Sequence, residues 1–553
     1  MGLGATLTSR PLASLSACVW LAAALGVILG IRSLFARRWW TAGASISAGI
    51  VAAWWPAITI VALSLMIGAA LCTSGALRVI GSHPAAARDR PTALLSGMAR
   101  VLFGILALMW LDVTALLVGY LFGPALVLFG LIRILSATRR TGHVSRTVPK
   151  WLRVAASSLA LACAAALSLT SVWIIRGSPS PDPFYSRPRD VPARPGVLLR
   201  SEPFTRGIPS TARAWRILYT TTRADGVPAL ASGIVVVSKT MPAGPRPAIA
   251  WAHGTTGFVS KCAPSLLAKG LEAGALPALE QVIARGWALV ATDYVGLGPS
   301  GVHPYLIGEP EARSVLDAVR SAAQLDGIQL EKRTVVWGHS QGGGAALWVG
   351  IVAPRYAPDV NVVGIAALSP ASEIPAIFDA VRDTPVGKIM GAYVVSAYAA
   401  NYPDVHFDDY IAPEARLLAR RTAARALSGP EALVSILTSL GKESFYSRSP
   451  ASGALGMRLA ENVPAERITA PLMIAQGLAD QLVLSDLQAR YVARLCASGQ
   501  SLEYRTYAGF DHVGIVLDVA SPLAADLVAW TQDRFDGKPI ATGCRTVRVG
   551  GKP

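Results

Sequence analysis

Ser340 stands in the run Gly338-His339-Ser340-Gln341-Gly342, directly after Thr334-Val335-Val336-Trp337 and before Gly344-Ala345-Ala346-Leu347-Trp348. A serine between glycines on a strand-to-helix turn is a nucleophile elbow. The tight turn exposes Oγ, the glycines relieve crowding around it, and the helix N-terminus beyond favours negative charge. A hydroxyl alone is a weak nucleophile and needs a base within hydrogen-bond reach. Of the seven histidines, only His406 and His512 follow Ser340. His512, in Gly509-Phe510-Asp511-His512-Val513-Gly514, lies just past the last candidate strand, where the order serine, acid, histidine requires the base. His406 precedes any strand-end acid and reads as a surface histidine. Asp480, in a loop after the apolar run 471–476, would orient the imidazole and stabilise the imidazolium. Its rivals are Asp486, which after Ser485 reads as a first-turn helix acid, and Asp511, adjacent to the base. An oxyanion formed at Ser340 needs two main-chain N–H donors. The expectation is Gln341 for one and, for the other, Thr256 in His253-Gly254-Thr255-Thr256-Gly257.

These residues need a scaffold. From about 198 onward, short β-branched runs at 215–221, 231–237, 247–251, 288–292, 334–337, 362–368, 472–476 and 502–507 alternate with helical patterns. Strands alternating with helices predict a mostly parallel sheet covered on both faces, an α/β fold. The stretch 371–466 interrupts this alternation with apolar helical runs at 377–381, 389–399 and 433–440, and reads as a helical cap over the acyl site.

With the motifs laid out, the second half resembles a known family. His253-Gly254-Thr255-Thr256-Gly257, Cys262-Ala263-Pro264-Ser265, Asp293-Tyr294-x-Gly296-x-Gly298, the GHSQGG run at Ser340 and Gly509-x-x-His512 are together similar to the secretory lipases of fungi and actinobacteria. The resemblance covers about 200–545. It implies an α/β-hydrolase with a helical cap, acting on carboxylic esters of lipids through Ser340, Asp480 and His512, with Thr256 and Gln341 at the oxyanion hole. It also implies a Cys496–Cys544 disulfide near the C-terminus, which fits an oxidising compartment. Family members often bridge the cysteine of the Cys-Ala-Pro-Ser run to a cap cysteine, yet no cysteine lies between 263 and 495 here. Hydrolysis through an acyl-enzyme is the expected reaction. Acyl transfer would use the same triad, and a non-catalytic scaffold is the alternative of a different class.

The first half is of another kind. Hydrophobic residues make up 52% of the 553 and charged ones 15%, too apolar for an ordinary soluble enzyme. Apolar runs at 12–31, 39–55, 57–77, 97–111, 113–132 and 154–175 predict about six membrane spans. Residues 1–180 hold fifteen basic side chains against two acidic ones, Asp89 and Asp112. This excess sits in loops after the first, third and fifth runs: Arg32, Arg37 and Arg38; Arg78, Arg88 and Arg90; and Arg133, Arg139, Arg140, Arg146, Lys150 and Arg153. The pattern is that of membrane topology and not of nucleic-acid binding; it makes those loops cytoplasmic and puts the chain after 177 outside. A shift of 55 residues aligns Gly49-Ile50 with Gly104-Ile105, Thr59 with Thr114, Gly68 with Gly123, Gly75 with Gly130 and Arg78 with Arg133. This repeat of helical hairpins, with its Trp54-Trp55-Pro56 turn, resembles HdeD-like membrane domains. The Pro- and Ser-rich stretch 177–197 reads as a linker, dividing 1–176 from a catalytic domain at 198–553. Cys18, Cys72 and Cys163 fall inside apolar runs. No CxxC or Cys/His cluster has metal-ligand spacing, so neither metal nor cofactor is called for. The expected partners are a lipid or ester substrate and membrane lipids.

Overall fold

In the computed structural model, residues 10–81, 90–138, 149–223, 225–240 and 244–550 are described. Arg88, Arg139, Arg140 and Arg146 lie outside them. The apolar runs of the first half form helices Pro11–Phe35, Trp39–Trp54, Pro56–Ile80, Arg90–Met109, Leu111–Thr138 and Lys150–Gly177. Five of these are long and apolar enough to cross a membrane. The sixth expected span is corrected. Pro56 opens a new helix at its first position, so Trp39–Trp54 stops at 16 residues. At 1.5 Å per residue it rises about 24 Å, short of a hydrocarbon core of about 30 Å.

The 55-residue repeat has a physical counterpart. Thr59 Oγ1 donates to the Ala52 carbonyl at 3.2 Å, and Thr114 Oγ1 donates to the Ala107 carbonyl at 3.1 Å, each across a helix break at Trp55 or Trp110. Gly49 and Gly104, equivalent in the two copies, both sit at close helix approaches. A Cβ at Gly49 would stand 2.7 Å from the Ala23 carbonyl oxygen, and one at Gly104 would stand 2.7 Å from the Cys72 nitrogen.

The second half builds a ten-stranded sheet from β1 (Leu198–Phe204), β2 (Ala212–Thr222), β3 (Pro228–Ser238), β4 (Pro245–Ala252), β5 (Ala288–Thr292), β6 (Gln329–His339), β7 (Asn361–Leu368), β8 (Leu472–Gly477), β9 (Leu502–Tyr507) and β10 (Cys544–Val549), in the order β1-β2-β3-β5-β4-β6-β7-β8-β9-β10. The pairs from β1 to β5 are antiparallel, and from β5 through β4 to β10 all are parallel. Eight strands fall where the β-branched runs lie. The two unforeseen ones, β1 and β10, are the edges. Their sequences, LLRSEPF and CRTVRV, carry charges and in β1 a proline, and only Phe204 among their residues is buried. Edge strands are commonly charged in this way, which blunts edge-to-edge pairing and hides them from a hydrophobic pattern.

One face of the sheet is covered by helices Gly308–Ala322, Gln341–Tyr356 and Ser485–Ala497, and the other by Leu279–Ala284 and Leu523–Phe535. Trp251 and Trp337 are buried in the second of these cores. Between β7 and β8 the expected cap contains helices Ile374–Val381, Pro385–Asn401, Phe407–Tyr410, Arg416–Ala423, Pro430–Ser439 and Gly453–Glu461. The stretch read as a linker packs more firmly than its composition implies: Phe184 and Tyr185 are buried in a small cluster with Leu218 and Leu266. The chain divides into two compact units, one of Met1–Gly177, Ile411–Arg421 and Ile436–Ser447, the other of Ser178–Tyr410, Thr422–Ser435 and Arg448–Pro553. Two cap segments therefore group with the apolar helices, a division finer than the expected one.

Candidate active site

Ser340 ends the turn between β6 and helix Gln341–Tyr356 with φ 58° and ψ −117°. A non-glycine residue in that region is strained by about 1–3 kcal/mol and persists only where its surroundings enforce it. Here they do. A Cβ at Gly338 would stand 1.9 Å from the Gly342 carbonyl oxygen, and one at Gly342 would stand 1.9 Å from that of Ala252. Only glycine fits either place, so the backbone closes tightly and the serine is pushed out. Ser340 N–H donates to the Leu368 carbonyl at 2.9 Å, tying the elbow to the end of β7.

The loops after β8 and β9 bring up the other two expected residues. His512 Nε2 lies 2.8 Å from Ser340 Oγ, and His512 Nδ1 lies 2.8 Å from Asp480 Oδ2. Nδ1–H donates to the carboxylate, which leaves Nε2 bare to accept the serine proton. Asp480 is itself held. Its Oδ1 accepts from the main-chain N–H of Leu482 at 2.9 Å and Val483 at 2.8 Å, and Gln476 Nε2 donates to Oδ2 at 3.1 Å. Burial opposes its charge, yet the His512 hydrogen bond and attraction and the two main-chain donors hold it below the usual carboxylate range.

The rivals are placed elsewhere. Asp486 lies in the first turn of helix Ser485–Ala497, whose N-cap position is taken by Leu484. Asp511 Oδ1 accepts from the main-chain N–H of Val513 and Gly514, at 3.2 and 2.6 Å. His406 lies in the cap, its carbonyl accepting from Asp409 N–H.

A narrow apolar cleft opens at Ser340, walled by Thr255, Tyr305, Ile374, Ile377, Phe378 and Val381, with Gln341 also on its wall. Of the two threonines in the 253–257 loop, Thr255 lines this cleft and Thr256 does not. The Thr256 side chain is buried, and its carbonyl accepts from Leu427 N–H of the cap at 2.8 Å. Thr255 Oγ1 lies 2.9 Å from Tyr305 Oη.

Sequence reasoning passed over the layer beneath. Gln341 Nε2 donates to Glu311 Oε1 at 2.6 Å and to His303 Nε2 at 3.1 Å. His303 Nδ1–H donates to the Val295 carbonyl at 3.1 Å, which fixes the tautomer that leaves Nε2 an acceptor. Glu311 Oε1 also accepts from Leu306 N–H, at 3.1 Å. Burial pushes the Glu311 carboxyl up to about 8 and the His303 imidazole down to about 3. His339 donates from Nε2 to the His512 carbonyl at 2.8 Å, and the two rings lie 4.7 Å apart, so it braces the loop that carries the base. Glu311 had only the signature of a first-turn helix acid, in Gly308-Glu309-Pro310-Glu311, and His339 only its place between Gly338 and Ser340. Asp293, in the Asp-Tyr-x-Gly motif, is buried and takes the Ser232 hydroxyl at 2.5 Å and the Ser265 N–H at 2.9 Å, joining β3 to the Cys-Ala-Pro-Ser run.

Cys496 and Cys544 are joined in a disulfide that ties helix Ser485–Ala497 to β10. Cys262 is buried and free.

Comparison with known proteins agrees with this construction. Residues 275–543 match the secretory lipase family, and residues 40–99 and 95–170 match two copies of DUF308, a short repeat of unknown function. A probable inactive lipase of Mycobacterium tuberculosis is 29% identical over 394 residues, covering 66% of this chain and 83% of its own. A secreted triacylglycerol lipase of Malassezia globosa is 24% identical over 392 residues, covering 67% and 84%. Among solved structures, Candida antarctica lipase A in its closed state superposes with a TM-score of 0.54 at 17% identity, covering 66% of this chain and 87% of that one. A rice cell wall degrading esterase from Xanthomonas oryzae superposes with a TM-score of 0.51 at 19% identity, covering 63% and 100%. At such identities the superpositions speak for the fold, which is that of an α/β-hydrolase. The second half thus carries an α/β-hydrolase domain that matches the secretory lipase family over residues 275–543, behind a DUF308, HdeD-like repeat region of apolar helices.

Proposed function

We propose that this protein hydrolyses carboxylic esters of lipids, with Ser340 as nucleophile, His512 as general base and acid, and Asp480 as the group that orients the imidazole and stabilises the imidazolium formed on attack. The observation that carries the reading is the unbroken run of hydrogen bonds from Ser340 Oγ through both His512 nitrogens to Asp480, opening into an apolar cleft. Ser340 Oγ attacks the ester carbonyl while its proton passes to His512 Nε2, and the tetrahedral oxyanion is stabilised by main-chain N–H groups. One is that of Gln341; the other comes from the 253–257 loop, where Thr255 holds the cleft-facing position expected of Thr256. His512 protonates the departing alcohol, then takes a proton from the water that releases the acid. No cofactor enters these steps. The relative named a probable inactive lipase makes activity the first thing to measure. Purified full-length protein should hydrolyse p-nitrophenyl esters, and Ser340→Ala should abolish this without unfolding. Absence of both turnover and fluorophosphonate labelling of Ser340 would overturn the reading in favour of a binding scaffold.

The catalytic half is further proposed to face the extracytoplasmic side of a cell membrane. The orientation rests on the last helix, whose flanking charge does not depend on how the 16-residue helix Trp39–Trp54 sits. That helix enters with Lys150 and Arg153 behind Arg139, Arg140 and Arg146, which retains its N-terminal end in the cytoplasm. The Cys496–Cys544 bridge agrees with an oxidising compartment. Protease added to intact cells should cleave after residue 177; cleavage only after permeabilisation would invert the assignment.

A further inference from the structure

Cap helix Pro430–Ser439 is built inside out. Its buried side carries Glu431, Val434, Ser435, Thr438 and Ser439, each 9% exposed or less. Its outer side, with Leu440 directly after it, carries Leu433, Ile436, Leu437 and Leu440, exposed by 55, 41, 66 and 56%. These positions follow the i, i+3, i+4, i+7 spacing of one helical face. Water selects the opposite arrangement, since serine and threonine cost little on a surface and leucine costs much. A helix that buries its hydroxyls and shows its leucines is matched to an apolar surrounding.

We propose that this face lies in the lipid of the membrane surface, and that the ester substrate reaches the cleft from that lipid. Two observations choose lipid over another occupant. First, the stripe is continuous with the membrane-spanning part of the chain. Residues Ile436–Ser447 belong to the compact unit of apolar helices, and there Glu443 accepts from Leu12 and Ala13 N–H at 2.6 and 3.0 Å, capping the spanning helix Pro11–Phe35. The end of a spanning helix lies at the level of the headgroups, which is where an amphipathic helix rests with its apolar face among acyl chains. Second, the N-terminal end of the same helix is tied to the site. Glu431 Oε1 accepts from Lys261 Nζ and Ser178 Oγ, both at 2.6 Å, and Oε2 accepts from Ala426 N–H at 2.8 Å. The adjoining Leu427 donates to the Thr256 carbonyl of the loop that borders the cleft. One short element thus carries both the apolar stripe and the Glu431 tie to Lys261 and Ser178.

The test uses the full chain in lipid nanodiscs, carrying Leu437→Cys with a bimane label, after Cys18, Cys72, Cys163 and Cys262 are replaced by alanine. Lipids with a nitroxide near the top of the acyl chain should quench the label at least threefold, while aqueous iodide should leave it nearly unchanged. A label at Lys538→Cys should give the reverse. Quenching by iodide and not by nitroxide lipid would overturn the proposal. So would protection from both, which would assign the stripe to a second copy of the chain. A second arm rests on the ester-hydrolase reading. Leu433→Ser with Leu437→Ser should leave turnover of soluble p-nitrophenyl acetate unchanged and lower turnover of a long-chain ester in vesicles at least fivefold. Equal loss on both substrates would overturn the substrate route. Absence of turnover by wild type would speak against hydrolysis while leaving the quenching result to decide the lipid contact.

Discussion

Asp480→Asn offers the sharpest test of the proposed triad, because the structure decides how the new amide must sit. Asp480 Oδ1 takes two main-chain N–H groups, from Leu482 and Val483, and Oδ2 takes His512 Nδ1–H and Gln476 Nε2–H. An asparagine can keep its oxygen on the main-chain pair or turn it towards His512. The second choice points an NH2 group at two buried donors, each left unpaired at a cost of about 1–3 kcal/mol. Gln476 Nε2 by contrast has other acceptors in the carbonyls of Gly477 and Val483. The oxygen therefore stays with Leu482 and Val483, and the NH2 group meets His512 Nδ1. The imidazole then moves its proton to Nε2, which faces Ser340 Oγ as a donor and no longer accepts. This is the wrong-tautomer defect, with a loss in kcat of about 10⁴-fold, or roughly 5.5 kcal/mol of barrier. The assay is hydrolysis of p-nitrophenyl butyrate with circular-dichroism melting alongside. A loss under about tenfold in folded protein would show that another group orients His512 and would refute the assignment of Asp480.

Ser340→Gly should remove activity yet leave the protein about 1 kcal/mol more stable than Ser340→Ala, since glycine occupies φ 58° without strain; equal melting temperatures would show the elbow is unstrained. Cys496→Ser should lower stability by up to about 4 kcal/mol, the loop-closure value for a bridge across 48 residues, and wild type should fall to the same melting point under reductant; no shift in either would refute a structural role for the bridge. Glu311, pushed up to about 8 by burial, stays protonated in the folded chain while the unfolded chain ionises near 4.5. The folded state thus binds more protons between those values, and its stability falls as pH rises, by at most about 1.4 kcal/mol per unit. Glu311→Gln should flatten melting temperature against pH between 5 and 8; parallel curves would mean that Glu311 is charged throughout.

Which parts of this molecule a sequence exposes follows from how each residue is recognised. Ser340, Asp480 and His512, the proposed triad, could be picked out because each lies in a turn or loop past a strand of the parallel sheet, where chain order fixes the stations. That Thr255 and not Thr256 lines the cleft could not be read from the loop, because neighbouring residues point apart. Glu311 was invisible for a different reason. Its neighbours Glu309 and Arg313 make an ordinary surface pair on the same helix, so nothing local marks one carboxyl as buried under Gln341. The short helix Trp39–Trp54 misled because a hydropathy window reads through Trp55, whereas Pro56 ends the helix ahead of it. The edge strands β1 and β10 failed the same pattern in the other direction, being charged strands in which only Phe204 is buried.

The buried polar groups around Ser340 are each costly alone, and their arrangement explains why the chain tolerates them. An unpaired buried donor, acceptor or charge destabilises by more than its hydrogen bond returns, so every such group must find partners on rigid elements. Asp480 draws on the turn after β8, Asp293 on β3 and the Cys-Ala-Pro-Ser run, and Glu311 on Gln341 and on Leu306 of the cleft wall. Each carboxyl thereby ties together segments distant in sequence. Removing any one leaves its donors stranded as well as losing a contact, so the effect of a substitution here should exceed that of an equally buried leucine at the sheet's far end. The sites are rigid for the reason that they are expensive: a strained serine and a set of dry carboxyls persist only where neighbours leave them no alternative position. That rigidity holds the imidazole 2.8 Å from Ser340 Oγ, which is the preorganisation that the proposed ester attack would use.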